Sequence, residues 1–271
     1  MNRTIWQYWE TVDVKPPFVD GFHGLACRNA GVEVIRVTPE TLADYLPDLP
    51  PEVNRIGNVA HKSDMIRTLL IHKFGGMWLD SDALVLKDLN WLFDFLADYE
   101  FVGFNDRAYP WKTPGGVRIN CFLARPGSDI VGQWVAAQHG KFPRTEYAWT
   151  EIGTDIIDGI CKANGGRVKI LDFEQICPVP ARRVGRFRSE IRSSRRWIDK
   201  IQIVMLSNMA MKQRGLDVRM YDMDRMRMGN SMLAQFVNRA CDAGYRPPSQ
   251  FTLFWRKALG SAARRLSDQP T

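Results

Sequence analysis

The chain has 271 residues, 45% of them hydrophobic and 25% charged, with a net charge of +7 at pH 7. That length accommodates one large domain or a domain with an appendage, and the composition excludes disorder for the bulk of the chain. No run reaches the roughly 18 apolar residues of a membrane-spanning helix, and the opening MNRTIWQYWE has no signal-peptide apolar stretch, so a cytoplasmic location is expected.

In chain order, TIWQYWE mixes aromatic and β-branched residues as a buried first strand does, ending near Trp9, and Pro and Gly punctuate VDVKPPFVDGF. A helix over residues 21–30 and an alternating strand over 32–37 follow, giving the strand, helix, strand opening of a parallel sheet. In NVAHKSDMIRTLLIHKFGG, Met65, Ile66, Leu69, Leu70 and Phe74 recur at helical spacing, and Gly75 and Gly76 supply the stop. MWLDSDALVL reads as an apolar strand carrying two carboxylates, NWLFDFLADY as a helix and EFVGFND as a strand. RINCFLARPG is a strand ended by Pro126 and Gly127, DIVGQWVAAQHG a helix ended by Gly140, EIGTDIIDGICKANGG a helix and RVKILDF a strand. The fold class is therefore α/β. From about residue 182 the clean alternation is lost, so a C-terminal subregion, 182–271, is set apart from a core of residues 1–181.

The charge is concentrated in that subregion. Arg182, Arg183, Arg186, Arg188, Arg192, Arg195, Arg196 and Lys200 face only Glu190 and Asp199, and a second basic stretch runs through Arg246, Arg256, Lys257, Arg264 and Arg265. Three readings stand open for residues 182–200: a solvated surface, a site for a phosphate-bearing or acidic acceptor, or a patch for anionic lipid headgroups. In QFTLFWRKALGSAARRL, Phe251, Phe254, Trp255, Leu259 and Leu266 can share an apolar face flanked by arginines, which suits a membrane surface as well as packing on the domain. Cys27, Cys121, Cys161, Cys177 and Cys241 are scattered singly, without zinc or redox spacing, and are expected as buried thiols.

Asp80 and Asp82 are the candidate chemistry. Two apart in an extended segment, their carboxylates fall on the same side, and hard oxygen ligands so placed suit Mg²⁺ or Mn²⁺, which can bridge the oxygens of a diphosphate. The competing reading is an exposed turn after a strand. Against it, both carboxylates interrupt an apolar run, where an uncompensated charge costs several kcal/mol. Asp64 and Arg67, three apart, share a face of the preceding helix, where a plain ion pair is the alternative to a ligand-binding role.

The block AHKSDMIRTLLIHKFGGMWLDSD resembles the signature of glycosyltransferases with a DXD sugar-binding region: capsular polysaccharide synthesis proteins, fungal mannosyltransferases and the large glucosylating toxins. TIWQYWE is similar to that family's first strand, INCFLARPGSD to its Asn-containing strand, and WTEIGTD to its Gly-centred segment near the sugar site, over residues 4–180. The resemblance implies a GT-A-like fold: a mixed, mostly parallel central sheet flanked by helices, with a small C-terminal helical subregion. It implies that Asp82 binds Mn²⁺ or Mg²⁺ directly and that Asp80 contacts the ribose or the metal's water shell. Asp64 and Arg67 would hold sugar hydroxyls, Ser63 would lie near the nucleoside with Ala60 leaving it space, and Trp9, or else Trp6, would stack on the base. Many relatives have a metal-binding His near the end of the catalytic domain, but all four histidines here (23, 61, 72 and 139) precede that region. Ser207 and Asn208 are the candidates in its place, Asn208 as the third metal ligand.

The function so implied is transfer of a sugar from a UDP- or GDP-sugar to a saccharide or lipid-linked saccharide acceptor, with retention of configuration, in surface polysaccharide biosynthesis. A peripheral position at the inner face of the cytoplasmic membrane fits the basic tail. Two rivals come from other classes. A haloacid-dehalogenase-type phosphatase also uses Asp-x-Asp and Mg²⁺, but its nucleophile sits on the opening strand. A basic nucleic-acid-binding protein matches the arginine content, yet no recognised nucleic-acid module is present, so no nucleic-acid partner is expected.

Overall fold

The computed structural model describes residues 3–10, 15–105, 116–172, 174, 179, 181–190 and 200–242, with backbone alone for residues 181, 182, 208 and 209. The basic segment 191–199, Cys177 and the tail beyond 242 lie outside the described residues.

A six-stranded sheet in the order β2-β1-β3-β6-β5-β7 forms the centre. Its strands are β1 (Thr4–Tyr8), β2 (Glu33–Val37), β3 (Gly76–Leu79), β5 (Phe101–Asn105), β6 (Val117–Ala124) and β7 (Val168–Asp172). Strand β6 is antiparallel to both neighbours and the other pairings are parallel, so five strands run one way and one the other. The mixed, mostly parallel sheet flanked by helices is the expected architecture. Alternation along the strands sorts side chains to two cores. Trp78 of β3 and Phe122 of β6 face a core shared with α4 (Val59–Phe74), α5 (Asp129–His139) and α6 (Thr154–Ala163). Met77, Leu79, Cys121 and Leu123 face the other core, against α1 (Pro17–Asn29) and a 3-10 helix over Asn90–Ala97.

Helix α4 has the boundaries its sequence foretold. The Asn58 side chain caps its N-terminus by accepting from the Ala60 amide at 3.0 Å, and Gly75 (φ 65°) ends it. Gly76 (φ 97°) leaves no room for a side chain, because an added Cβ would lie 2.4 Å from the Thr4 carbonyl of the neighbouring strand. This close approach sends the chain from α4 straight into β3.

Several expectations are corrected. The first helix begins at Pro17 rather than residue 21, because Pro17 is preset for a first helical turn. The segment NWLFDFLADY is a 3-10 helix. MWLDSDALVL is not one strand: β3 ends at Leu79, and the Ala83 amide donates to the Asp80 carbonyl at 3.0 Å, closing a turn over 80–83. The chain then enters β4 (Ala83–Val85), which pairs antiparallel with β8 (Ile203–Met205) in a separate two-stranded sheet. That sheet, α1 and α9 (Met232–Cys241) enclose a third core holding Phe18, Phe22, Leu84, Val204 and Phe236. Residues 200–240 and the start of the chain thus share one interior. Of the cysteines, Cys121 and Cys161 are buried, but Cys27 is exposed on an outward-facing helix position and Cys241, at the end of the last described helix, is half-buried against the third core.

Candidate functional site

Alternation places Asp80 where α4 can meet it. Trp78 points to the α4 face, and two residues on so does Asp80, because the β3–β6 ladder continues one step further through the Asp80 amide and the Asn120 carbonyl (3.0 Å). From α4, the buried Arg67 reaches the same place. Its Nη2 lies 3.3 Å from Asp80 Oδ1 and 3.2 Å from Asp64 Oδ1, and 3.4 Å from the Ser63 hydroxyl. Its Nη1 donates to the Ile119 carbonyl at 2.8 Å, and its guanidinium stands 5.0 Å from the ring centre of Trp78.

Of the two readings of Asp64 and Arg67, the i,i+3 ion pair is formed, and it extends to a third residue, engaging the carboxylate of Asp80. Burial pushes the Asp64 carboxyl up to about 6, with Arg67 opposing and Asp80 reinforcing the shift. Asp80 is raised in the same way, by burial first, against Arg67 and the Trp78 N–H. The Trp78 indole donates to Asp80 Oδ1 at 2.8 Å, so both donors meet one oxygen while 31% of the side chain stays exposed.

The turn that carries Asp82 is pinned on two sides. Ser81 donates to the Tyr8 carbonyl at 3.0 Å, tying the turn to the end of β1, beside Trp9. The Leu206 amide donates to the Asp82 carbonyl at 3.3 Å, so the chain leaving β8 enters Ser207 (φ 54°) and Asn208 next to Asp82. The side chain of Asn208 lies outside the described residues. Asp82 is half-buried. Asp80 and Asp82 therefore sit in a turn, not on one face of an extended strand, although Asp80 follows the third strand of the chain rather than the first.

The two tryptophans near the N-terminus differ. Trp6 is core: its indole donates to the Gly75 carbonyl at 3.0 Å and its ring stacks on Phe74. Trp9 is half-buried against the core of α1 and β4, with an indole N–H that meets no acceptor. Ala60 and Ser63 lie half-buried on α4, the Ala60 amide held by its cap.

The resemblance singled out the segments of Asn120 and Gly153, but sequence reasoning missed Gln138 and Trp78, which help hold these elements together. Buried Gln138 of α5 donates to the Asp64 carbonyl (3.1 Å) and the Ile152 carbonyl (2.8 Å), and accepts from Thr68 at 2.6 Å. Gly153 lies so close to Asp64 that an added Cβ would stand 3.4 Å from Oδ2 and 2.5 Å from Ile119 Cδ1. The Asn120 side-chain oxygen is buried without a partner. A lone Gln in a helix carries no local signal. Trp78, two residues before an acidic pair, offers only a faint one. Among the described residues, no group of three or more His, Cys, Asp or Glu side chains is arranged around a common ion position.

Residues 1–122 match the capsular polysaccharide synthesis protein family. The O-glycosyltransferase PaGT of Phomopsis amygdali is 24% identical over 152 residues, 49% of this chain and 37% of that protein, so the chain spans little more than a third of this relative. The glycosyltransferase kinship implied by the sequence is thereby borne out. Among solved structures, a glycosyltransferase involved in the glycosylation of the major capsid of PBCV-1 aligns at 12% identity, covering 79% of this chain and 98% of its own (TM-score 0.48). The PaToxG glycosyltransferase aligns at 10% identity, covering 89% and 85% (TM-score 0.45). Among the described residues, no helix is long and apolar enough to cross a membrane.

Proposed function

We propose that this chain transfers a sugar from a nucleotide-sugar donor, UDP- or GDP-linked, to a saccharide or glycoconjugate acceptor, with Mn²⁺ or Mg²⁺ bound. The observation that carries the reading is the buried Asp64–Arg67–Asp80 array opening onto the Asp82 turn. A buried guanidinium shared by two carboxylates is an expensive arrangement for stability alone, and polar groups so assembled suit recognition of a hydroxyl-rich ligand.

The residues fit a divalent ion. Mg²⁺-type sites commonly use one or two carboxylates together with substrate phosphates rather than a full protein cage. Asp82 and the exposed part of Asp80 would hold the ion, with the chain at Ser207 and Asn208 beside them, and Asn208 as a further ligand. When bound, the ion supplies positive charge for the departing diphosphate.

The chain's own residues do the rest. Arg67 and Trp78 fix the Asp80 carboxylate by its Oδ1, which leaves its other oxygen for the ion. Asp64, held against Gly153, and the unpaired Asn120 oxygen accept from sugar hydroxyls. Trp9 offers a ring and a free N–H beside the turn, where the nucleoside would lie with Ser63 and Ala60 across from it. The C-terminal subregion completes the site through the β4–β8 pairing.

Retention of configuration, a role in surface polysaccharide synthesis, and a cytoplasmic position peripheral to the membrane belong to the same reading. Incubation with UDP- and GDP-sugars and a lipid-linked saccharide, with and without chelator, tests it. Metal-dependent product with a retained anomeric configuration by NMR is expected; transfer unaffected by chelator, or an inverted product, contradicts the metal or the stereochemical part respectively.

A further inference from the structure

One cluster beside this site is not used in the donor binding proposed above. His61 lies three residues before Asp64 on α4, hence on the same face, one turn nearer the helix start. Its side chain is 3% exposed and neither ring nitrogen has a partner. Leaving a buried polar group unpaired costs about 1–3 kcal/mol, and nothing in the packing of α4 requires it. The ring is covered by two aromatics of the loop before α6: Tyr147 edge-on at 5.8 Å and Trp149 tilted at 6.2 Å.

That loop is firmly built. Glu151 accepts from Arg144 at 2.8 Å, Lys141 at 3.1 Å and the Ala148 amide at 2.9 Å, while the next carbonyl, Ile152, is held by Trp134 and Gln138. On this fixed loop Trp149 is nevertheless 66% exposed. An exposed ring alone is ordinary, but this one is held on a rigid support directly beside a buried imidazole with two unpaired nitrogens, a combination that suits ring stacking with edge hydrogen bonds. The charges around it cancel, Lys141 and Arg144 against Glu146 and Glu151, which disfavours an ionic ligand.

We infer that His61, Tyr147 and Trp149 form a subsite for a neutral saccharide ring. The C–H face of a pyranose stacks on the Trp149 indole, and hydroxyls at its edge pair with the imidazole. Burial holds His61 below its usual value despite Glu151, so the ring is neutral and offers one donor and one acceptor, both of which a sugar hydroxyl can match. Rotation of the exposed Trp149 side chain, a fast motion, uncovers the nitrogens without unfolding the loop. That this ring is the acceptor's rests on the transferase reading; the subsite itself does not.

The test uses the full chain labelled with ¹⁵N-histidine and titrated with the methyl glycosides of glucose, galactose and mannose. At least one glycoside is expected to shift the His61 imidazole signals while those of His23, His72 and His139 stay in place. Trp149→Ala, and His61→Phe with its ring packing kept, should weaken glycoside binding about tenfold or more. In Trp149→Ala the acceptor KM should rise about tenfold, with the Mn²⁺-dependent thermal shift by nucleotide sugars unchanged. Unmoved His61 signals with all three glycosides, or wild-type transfer by Trp149→Ala, overturns the inference. If glycosides shift His61 but no nucleotide sugar binds, the donor reading falls and the subsite stands.

Discussion

Arg67 and Trp78 donate to the same oxygen, Oδ1 of Asp80, at 3.3 and 2.8 Å. One residue comes from a helix and the other from the strand beneath it, so the carboxylate orientation depends on α4 and β3 staying in register. Trp78→Phe removes one donor and keeps most of the ring. It is expected to weaken nucleotide-sugar binding about tenfold, as loss of a charge-assisted hydrogen bond does, with the fold retained by circular dichroism.

Arg67 itself serves stability as well as the site. Removing it leaves the buried Asp64 and the half-buried Asp80 without their cation, so Arg67→Ala is expected to lower stability by about 3 kcal/mol in denaturant titration. Arg67→Lys should recover only part, because a point charge cannot serve Asp64, Asp80 and the Ile119 carbonyl together. Unchanged stability in Arg67→Ala would remove the array from the account.

Gly153 tests the closeness of the α6 loop to α4. A Cβ there would lie 2.5 Å from the Ile119 Cδ1 methyl but in ordinary contact with Asp64 at 3.4 Å, so Gly153→Ala is expected to cost about 1 kcal/mol as the Ile119 side chain shifts, with Asp64 kept in place and donor affinity near wild type. Calorimetry and nucleotide-sugar titration on the same variant read both quantities.

Two carboxylates give opposite pH slopes in the metal-free protein. Asp64 is raised from 3.8 to about 6, so the folded state binds the extra proton, and the stability this contributes is lost as pH rises from about 4 to 6. Glu151 is lowered from 4.5 to about 2 by the Ala148 amide, Arg144 and Lys141, and its contribution is lost as pH falls through that window. Melting curves of Asp64→Asn should therefore lose the decline between pH 4 and 6, and those of Glu151→Gln should lose part of the acid sensitivity below pH 4.5.

Much of the frame was legible because its signals are local. Helix α4 carries its period, its Asn58 cap and its glycine stop within one segment, and the buried first strand and the strand after α1 pair in parallel as their order implied. The break at Asp80–Asp82 was not legible, because β4 is defined by β8, a partner more than a hundred residues away that competes with continuation of β3. The Asp64–Arg67 spacing pointed to both a pair and a site, and the fold forms the pair and joins it to Asp80. Gln138 matters only through residues distant in sequence, so no window around it could have marked it, whereas Trp78 acts on Asp80 just two residues on and Gly153 is marked by the family resemblance alone. Trp6 and Trp9 look alike in sequence and part only when the sheet assigns one to each core.

The central claim is that Asp82 and Asp80 together hold an ion gripping a donor diphosphate. Thermal melting of wild type and Asp82→Asn with UDP- and GDP-sugars, each with and without Mn²⁺, tests it most directly. A ligand at about a hundred times its Kd stabilises by about 2.7 kcal/mol, a rise of several degrees for a chain of this size. The expected result is such a rise for one nucleotide sugar in wild type only when Mn²⁺ is present, and none in Asp82→Asn, whose unliganded melting point stays near wild type. An equal rise in both proteins, or one indifferent to Mn²⁺, contradicts it.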